Sequence, residues 1–538
     1  MAKHAAHEAP STPEPQKASV ARSTTLMSVA TLGSRVTGLV RTWAMAFALG
    51  NTLVTSAYQV ANNMPNMVYE LVAGGLLGAA FIPVYLLQRE RSEGDDGNGF
   101  ACNMLNLTIV VLGILSVLCT VFAPAVIATQ TFTVGGGDEV TRDAVLFFRL
   151  FAIQIVFYGI GGIVTGILNA NRVYFLPSIA PALNNVVVIA SFFAYIPLSA
   201  AGGDLGLIVL GAGTSLGVIV QFGIQIPALR RIGFRWRPRI DLHDPALLEA
   251  LRIAVPTAIY IAGTMVALSC RNAFSLQTGE NGPSTLLYAW TWYQLPYGVF
   301  AVSLARAMFT EMSEAAAQGR RRELRRQVSA GISGTLLLII PLAGLMGALA
   351  TPLMNLFQAG AFNAEDASYV GNILSLWAVS LPFYSVFMYL YNVYASLRRF
   401  ALFAGVSTVM VAVQVGLYML LCPSPLGLAG VPIADLAYYG LGSIVLLVIL
   451  VNLVGPYGVG SIVSQALRVL LATFVGIVVV LLVQTFLPFT ETSMLTGLVT
   501  LLVCGIIGLV VIFGLCALLR VPQMSMVTGF AKRLLRRR

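Results

Sequence analysis

The sequence predicts an all-α polytopic membrane protein, with about fourteen transmembrane helices in two pseudo-symmetric six-helix lobes plus two C-terminal helices. Three observations predict it. Of the 538 residues, 57% are hydrophobic and 10% charged, against about 25% charged in a soluble domain; mean hydropathy is +0.84. Apolar runs of about 18 residues or more, long enough to cross a bilayer, recur along the whole chain. Lysine and arginine collect in every second loop, as a chain that re-crosses a membrane requires.

In chain order, residues 1–22 are rich in Ala, Pro, Ser, Glu and Lys and read as a disordered cytoplasmic tail. They lack the apolar core of a cleaved signal peptide, so the first span is expected to act as the insertion signal. Spans follow at roughly 23–49, 53–88, 99–128, 143–170, 174–198 and 205–229, the first lobe. A basic linker, 230–244, leads to spans at 245–275, 284–314, 327–357, 366–395, 400–422 and 427–453, the second lobe. Two more, within 454–519, precede a basic tail at 520–538.

The basic loops carry Arg89 and Arg91, Arg172, Arg230–Arg239, Arg320–Arg326, Arg398 and Arg399, and Arg468. The alternate loops carry Arg142 and otherwise acidic or neutral linkers, such as 358–367 with Glu365 and Asp366. The positive-inside rule then places both termini in the cytoplasm, and the even span count agrees. The C-tail, ending in three arginines, suits contact with anionic headgroups; a merely solvated tail explains it as well.

The chain repeats itself. Ala152, Phe157-Tyr158 and Arg172 are matched by Ala378, Phe383-Tyr384 and Arg398 at an offset of 226, and Pro65 by Pro296 at 231. Six spans per copy preserve orientation, so the lobes are related by an axis along the membrane normal, with any substrate site between them. Prolines at 65, 256, 296, 341 and 382 fall within spans and permit kinks.

The stretch from Ser34 to Pro83 is unlike the rest. Its first helix puts Ser34, Gly38, Arg41 and Thr42 near one face with Arg35 beside them. Its second carries Gln59, Asn62, Asn63, Asn66, Tyr69, Glu70 and Gly74 at helical spacing. An arginine at bilayer depth costs about 2.5–3.5 kcal/mol on the lenient scale, so this stripe faces a wet or protein-lined interior. For the amides, polar glue between helices explains the pattern equally well.

Much chemistry is missing. The histidines, His4, His7 and His243, lie outside the spans, which argues against a histidine hydrolase, metal site or proton relay. No P-loop appears, and the six cysteines form no ligand or disulfide pattern. Glu70 is the clear membrane-depth carboxylate, with Glu311 near a cytoplasmic end. Cations prevail instead: Arg35, Arg41, Arg149, Arg252, Arg271 and Arg306. All but Arg35 and Arg41 lie toward span ends, where Arg252 and Arg306 can snorkel. Guanidinium matches phosphate bidentately, so a cationic chamber suggests an anionic, phosphate-bearing cargo. Tyr288, Trp290, Trp292, Tyr293 and Tyr297 offer surfaces for sugar rings, though core packing is the commoner role.

The segments SVATLGSRVTGLVR and SAYQVANNMPNMVYELVAGGLLGAAFIPVY, with QLPYGVFAVSLARAMFTEMSEAAAQG at 294–319, resemble the MurJ (MviN) lipid II flippases, especially their actinobacterial branch. The likeness runs from about Ser28 to the C-tail. It implies fourteen helices and movement of lipid-linked peptidoglycan precursor to the outer leaflet; no cofactor is expected, and the sequence does not identify a coupling ion. It implies that Arg35 and Arg41 meet the diphosphate, and that the last two spans form a groove for the polyprenyl tail. The chain departs from the family pattern at Thr42, at Tyr69 and Glu70, and at Thr291, where many members have arginine shortly before the eighth-helix proline; Arg271 is the candidate to supply that charge.

The expected substrate-binding set is therefore Arg35, Arg41, Asn62, Asn66, Glu70 and Arg271, without metal, and the expected partners are a lipid-diphosphate-linked sugar and membrane lipids, not nucleic acid. Export of another lipid-linked oligosaccharide stays open, as do two rival classes. An exporter of drugs or small cations predicts a net-negative cavity. A non-transporting scaffold for peptidoglycan synthesis enzymes would use the basic loops and tail as docking surfaces.

Overall fold

The computed structural model describes residues 14–69, 81–91, 97–135, 137–243, 245–487 and 493–524. Among them the chain is helical between turns, with one isolated β-bridge, Ala359 to Phe362. The first half runs α1 (Glu14–Leu49), α2 (Leu53–Tyr69), α3 (Phe81–Arg91), α4 (Asn98–Val121), α5 (Ala123–Thr131), α6 (Glu139–Ala170), α7 (Phe175–Ala200), α8 (Leu205–Gly223) and α9 (Ile226–Arg231). Its main contacts are α7 with α8 and α1, and α6 with α2, α4 and α8.

The second half runs α10 (Pro245–Thr278), α11 (Gly282–Pro296), a π-turn (Tyr297–Ala301), α12 (Val302–Ala317), α13 (Arg321–Ala348), α14 (Ala350–Asn355), α15 (Ala364–Ala378), α16 (Leu381–Ser396), α17 (Phe400–Leu421) and α18 (Gly430–Val454). Here α17 packs on α10 and α18, and α16 on α13 and α18. The last pair, α19 (Val459–Phe486) and α20 (Met494–Leu518), pack on each other and reach the second bundle through α13 and α14. The apolar window of α13 is 67% buried, against 22% for α17 and α20. Helix α13 is thus an internal pillar, flanked by the second bundle on one side and α19 on the other.

Eight described helices are long and apolar enough to cross a membrane, or ten if each sharply bent pair is one span. The expected fourteen exceeds this, and the difference falls on α1, α2–α3, α10 and α11–α12. Arg35 and Arg41 interrupt the apolar run of α1, and α2, α3, α11 and α12 are each shorter than the roughly 18 residues a span needs.

The internal repeat is visible in the backbone. Helix α6 bends by 43° between Phe151 and Gln154, and the α15–α16 pair by 52° between Ala378 and Leu381. At the far end of each bent unit sits an arginine in the left-handed region, Arg172 (φ 62°) and Arg398 (φ 55°), an uncommon conformation for a residue with a Cβ. Both close the same C-cap: Val173 N–H bonds to Leu168 C=O as Arg399 does to Tyr394, and Arg172 bonds to Asn169 as Arg398 does to Ala395. The C-cap positions differ by 226, since 398 − 172 = 226, and the bends by 227, since 378 − 151 = 227.

The expected proline breaks are unequal. Pro296 is followed by the π-turn, which wraps an extra residue into the ladder. Pro382 lies in the first turn of α16, just past the 52° bend. Pro65 and Pro341 lie inside helices that continue through them.

Candidate substrate cavity

Helix α1 carries two guanidinium groups at different depths. Arg41 lies eight residues before the end of α1 and Arg35 fourteen, about 12 and 21 Å along a helix axis. Against a hydrocarbon core of about 30 Å, both fall within bilayer depth. The helix is fixed by its neighbour α7, where Asn185 Nδ2 donates to Thr37 Oγ1 at 3.0 Å and to Ser34 C=O at 3.4 Å.

With that face occupied, Arg35 projects to an exposed position and reaches the other bundle. Its Nη1 makes a long contact, 3.4 Å, to the Gly298 carbonyl in the π-turn. A Cβ at 298 would lie 3.4 Å from that nitrogen, an ordinary van der Waals distance, so the two approach closely without clash. Arg41 is half-buried. Among the described residues neither arginine pairs with a carboxylate.

Arg271 on α10 is different. Its Nη1 is 3.9 Å from Asp435 Oδ2, with the arginine side chain 21% exposed and the aspartate 1%. Asp435 also accepts from Trp377 Nε1 at 2.9 Å, Gln414 Nε2 at 2.7 Å and the Tyr418 hydroxyl at 2.5 Å. The guanidinium stands over Trp290 at 5.3 Å and Trp377 at 5.8 Å, within cation–π range. A buried carboxylate is tolerated when its lone pairs are filled and its charge balanced, and here three hydrogen-bond donors and one guanidinium meet it.

This cluster forms one wall of a cavity of about 210 Å³, with Trp290, Gln414, Tyr438 and Tyr439 beside Arg271 and Met67 of α2 completing the lining. The cavity therefore touches both bundles.

At one end of the molecule the bundles are sealed. Asn51 donates to Thr285 Oγ1 at 2.9 Å and accepts from Ser284 Oγ. Tyr288 donates to Gly50 C=O at 2.8 Å, and Ala361 N–H to Phe47 C=O at 2.9 Å. Asn272 donates to Gln130 Oε1 at 2.6 Å, and Thr133 to Ala273 C=O. Gly50 and Gly360 have φ near +60° and stand so close across the seam that a Cβ on either would lie under 3.0 Å from facing backbone oxygen.

The other expected site residues behave unequally. Asn66 donates to the Asn62 carbonyl, and Gln59 to Asn63 Oδ1, so these amides serve their own helix while remaining half-buried. Glu70 and Gly74 lie outside the described residues, as do the side chains of Tyr69, Arg252 and Arg306. Arg149 is exposed and lines a different cavity, of about 620 Å³, with Arg142 and Asp204. Of the aromatics, Tyr288 and Tyr293 are fully buried core, whereas Trp290 faces the cavity.

The sequence reading overlooked Asp435. Its signal was present: one carboxylate in the otherwise apolar run GVPIADLAYYGLGSIVLLVILVNLV. The seam residues Asn51, Ser284 and Thr285 carried no comparable signal, since polar residues beside turns are ordinary.

Two helical bundles around a shared cavity, sealed at one end, define the class of two-lobed membrane exporters. A solved MATE multidrug transporter of the MOP superfamily, in its inward-facing conformation, aligns with a TM-score of 0.57 at 15% identity over 78% of this chain and 92% of that one. A structure described as lipid II flippase MurJ, inward closed conformation, aligns with a TM-score of 0.73 at 22% identity over 90% and 98%. The family model for lipid II flippase MurJ matches residues 45–503, and the chain belongs to that family. A probable lipid II flippase MurJ of Rhizobium meliloti is 30% identical over 421 residues, 76% of each chain. One from Bdellovibrio bacteriovorus is 28% identical over 471 residues, 86% of this chain and 87% of its own.

Proposed function

We propose that this protein flips lipid II from the cytoplasmic to the outer leaflet of a bacterial cell membrane by alternating access between its two lobes, 23–229 and 245–453. The observation that carries the reading is the pair of α1 guanidiniums, both at bilayer depth, neither balanced by a described carboxylate, one of them reaching across to the opposite bundle. A diphosphate is the ligand that such charges match. Fourteen spans and the loop charges give cytoplasmic termini, which puts the Asn51 seam at the outer face. The state described is then closed outward, with Arg41 about 12 Å below the seam.

In this reading Arg35 and Arg41 hold the diphosphate. Arg271, its charge already met by Asp435, shapes the aromatic wall beside the headgroup. Loading requires no covalent chemistry. The work is a rocking motion that breaks the outer seam and re-forms contacts at the opposite end. The polyprenyl tail stays in lipid, against an apolar groove of about 650 Å³ between α13, α15–α16, α18 and α19. Helix α20 adds nothing to that lining; it braces α19 from behind. Arg35→Ala and Arg41→Ala, each expressed in cells depleted of their own flippase, test the assignment. Loss of rescue with normal membrane levels is expected; rescue by both variants would contradict it.

A further inference from the structure

A second concentration of uncompensated positive charge lies away from the central cavity. At the start of α13, Arg322, Arg325 and Arg326 line a cleft of about 430 Å³ with Ser329 and Tyr457, and no acidic side chain is in its lining. Arg320, just outside, is the arginine that pairs with Glu323. Arg325 is pre-positioned: its Nε donates to the Val454 carbonyl at 2.5 Å. Gly455 turns under it at φ 86°, where a Cβ would lie 2.2 Å from Nη2. The arginines also stand in the first turns of a 28-residue helix, whose positive end adds to their field.

The cleft continues into the apolar groove. Along α13, residues 322, 326 and 329 are followed at helical spacing by Ile332, Leu336, Ile340 and Ala343, all groove-lining. On the facing side Tyr457 is succeeded by Ile462 and Val463. From Ile332 to Ala343 the helix rises about 16 Å, near half of a hydrocarbon core of about 30 Å. A cationic head site thus opens onto a dry channel the depth of one leaflet.

We propose that this cleft and groove together hold an anionic phospholipid, its phosphate on Arg322, Arg325 and Arg326 and one acyl chain along α13. Charge complementarity fixes the head, and the apolar lining fixes the chain. The site stands independently of the cargo assignment; only its leaflet, the inner one, rests on the orientation proposed above. Because the cargo tail is assigned to the same groove, the resident lipid is displaced when cargo loads.

Native mass spectrometry of the purified full-length protein with phosphatidylglycerol, phosphatidylcholine, undecaprenyl diphosphate or inorganic pyrophosphate tests it. Phosphatidylglycerol is expected to be retained about tenfold or more over phosphatidylcholine, with the preference shrinking in salt. The Arg322→Ala/Arg325→Ala/Arg326→Ala variant is expected to abolish the preference. Val463→Trp, at a half-exposed groove position, is expected to weaken retention of both phospholipids while leaving all three arginines in place. Inorganic pyrophosphate at equal concentration is expected not to compete. Equal retention of the two phospholipids, an unchanged preference in the triple variant, full competition by pyrophosphate, or binding of undecaprenyl diphosphate alone would each overturn the proposal.

Discussion

Arg271 and the α1 arginines are the same side chain in two electrostatic settings. Arg271 faces a carboxylate that is 1% exposed and already bonded to a tryptophan, a glutamine and a tyrosine. Arg35 meets a backbone carbonyl instead, and among the described residues neither Arg35 nor Arg41 pairs with a carboxylate. The difference separates structure from function. A guanidinium with a buried counter-charge is an element of the fold, and removing one partner strands the other. A guanidinium without one keeps its charge for an incoming anion, and its removal strands no partner.

The largest expected effect comes from the compensated pair. Asp435→Ala leaves Arg271 unbalanced and three donors without an acceptor, and is expected to destabilise the protein by about 3–5 kcal/mol. Thermal unfolding in detergent measures this. Arg271→Gln combined with Asp435→Asn is expected to recover more than half of that loss. If the double variant is no more stable than Asp435→Ala alone, the pair is not coupled as described.

The α1 arginines are expected to show the opposite profile. Arg35→Ala and Arg41→Ala leave the melting temperature within the range of ordinary surface substitutions, about ±0.5 kcal/mol. Each lost charge-assisted contact to diphosphate removes about 1.5–3 kcal/mol, or roughly 10- to 150-fold in cargo affinity. Lysine at either position is expected to recover part of the loss, since it keeps the charge but not the bidentate fork. An alanine variant that melts early and binds cargo normally would place these residues with Arg271.

The seam sets the smallest scale. Tyr288→Phe removes one hydrogen bond to Gly50 and is expected to shift the open–closed balance by about 0.5–1.5 kcal/mol. Spin labels on α2 and α11 would report this as a larger population at long distance. Gly360→Ala is expected to shift it further the same way, because its Cβ would lie 2.3 Å from the Phe47 carbonyl at a positive φ.

Much of the comparison was legible in the sequence, and the unequal parts have physical reasons. The α1 arginines stood out because a charge inside an apolar run needs an explanation wherever its neighbours lie. The repeat was legible because both copies kept the same residues at a bend and a C-cap, and these proved to share backbone conformation at Arg172 and Arg398. The pairing of Arg271 with Asp435 was not legible. The two lie 164 positions apart, since 435 − 271 = 164, and helical periodicity gives a face, not a partner. The seam was illegible for a related reason: it joins side chains far apart in sequence, Asn51 with Ser284 and Thr285 and Gln130 with Asn272, and backbone groups such as those of Phe47, Gly50 and Ala361, which every residue carries.

The most direct test of the central claim is translocation of lipid II by the purified protein in vesicles, comparing the intact chain with Arg35→Ala, Arg41→Ala and Arg271→Gln/Asp435→Asn. The account predicts that either α1 substitution slows translocation at least about tenfold, while the doubly neutralised wall keeps most of its activity. Normal translocation by both α1 variants, with the activity lost instead from the Arg271/Asp435 variant, would contradict it.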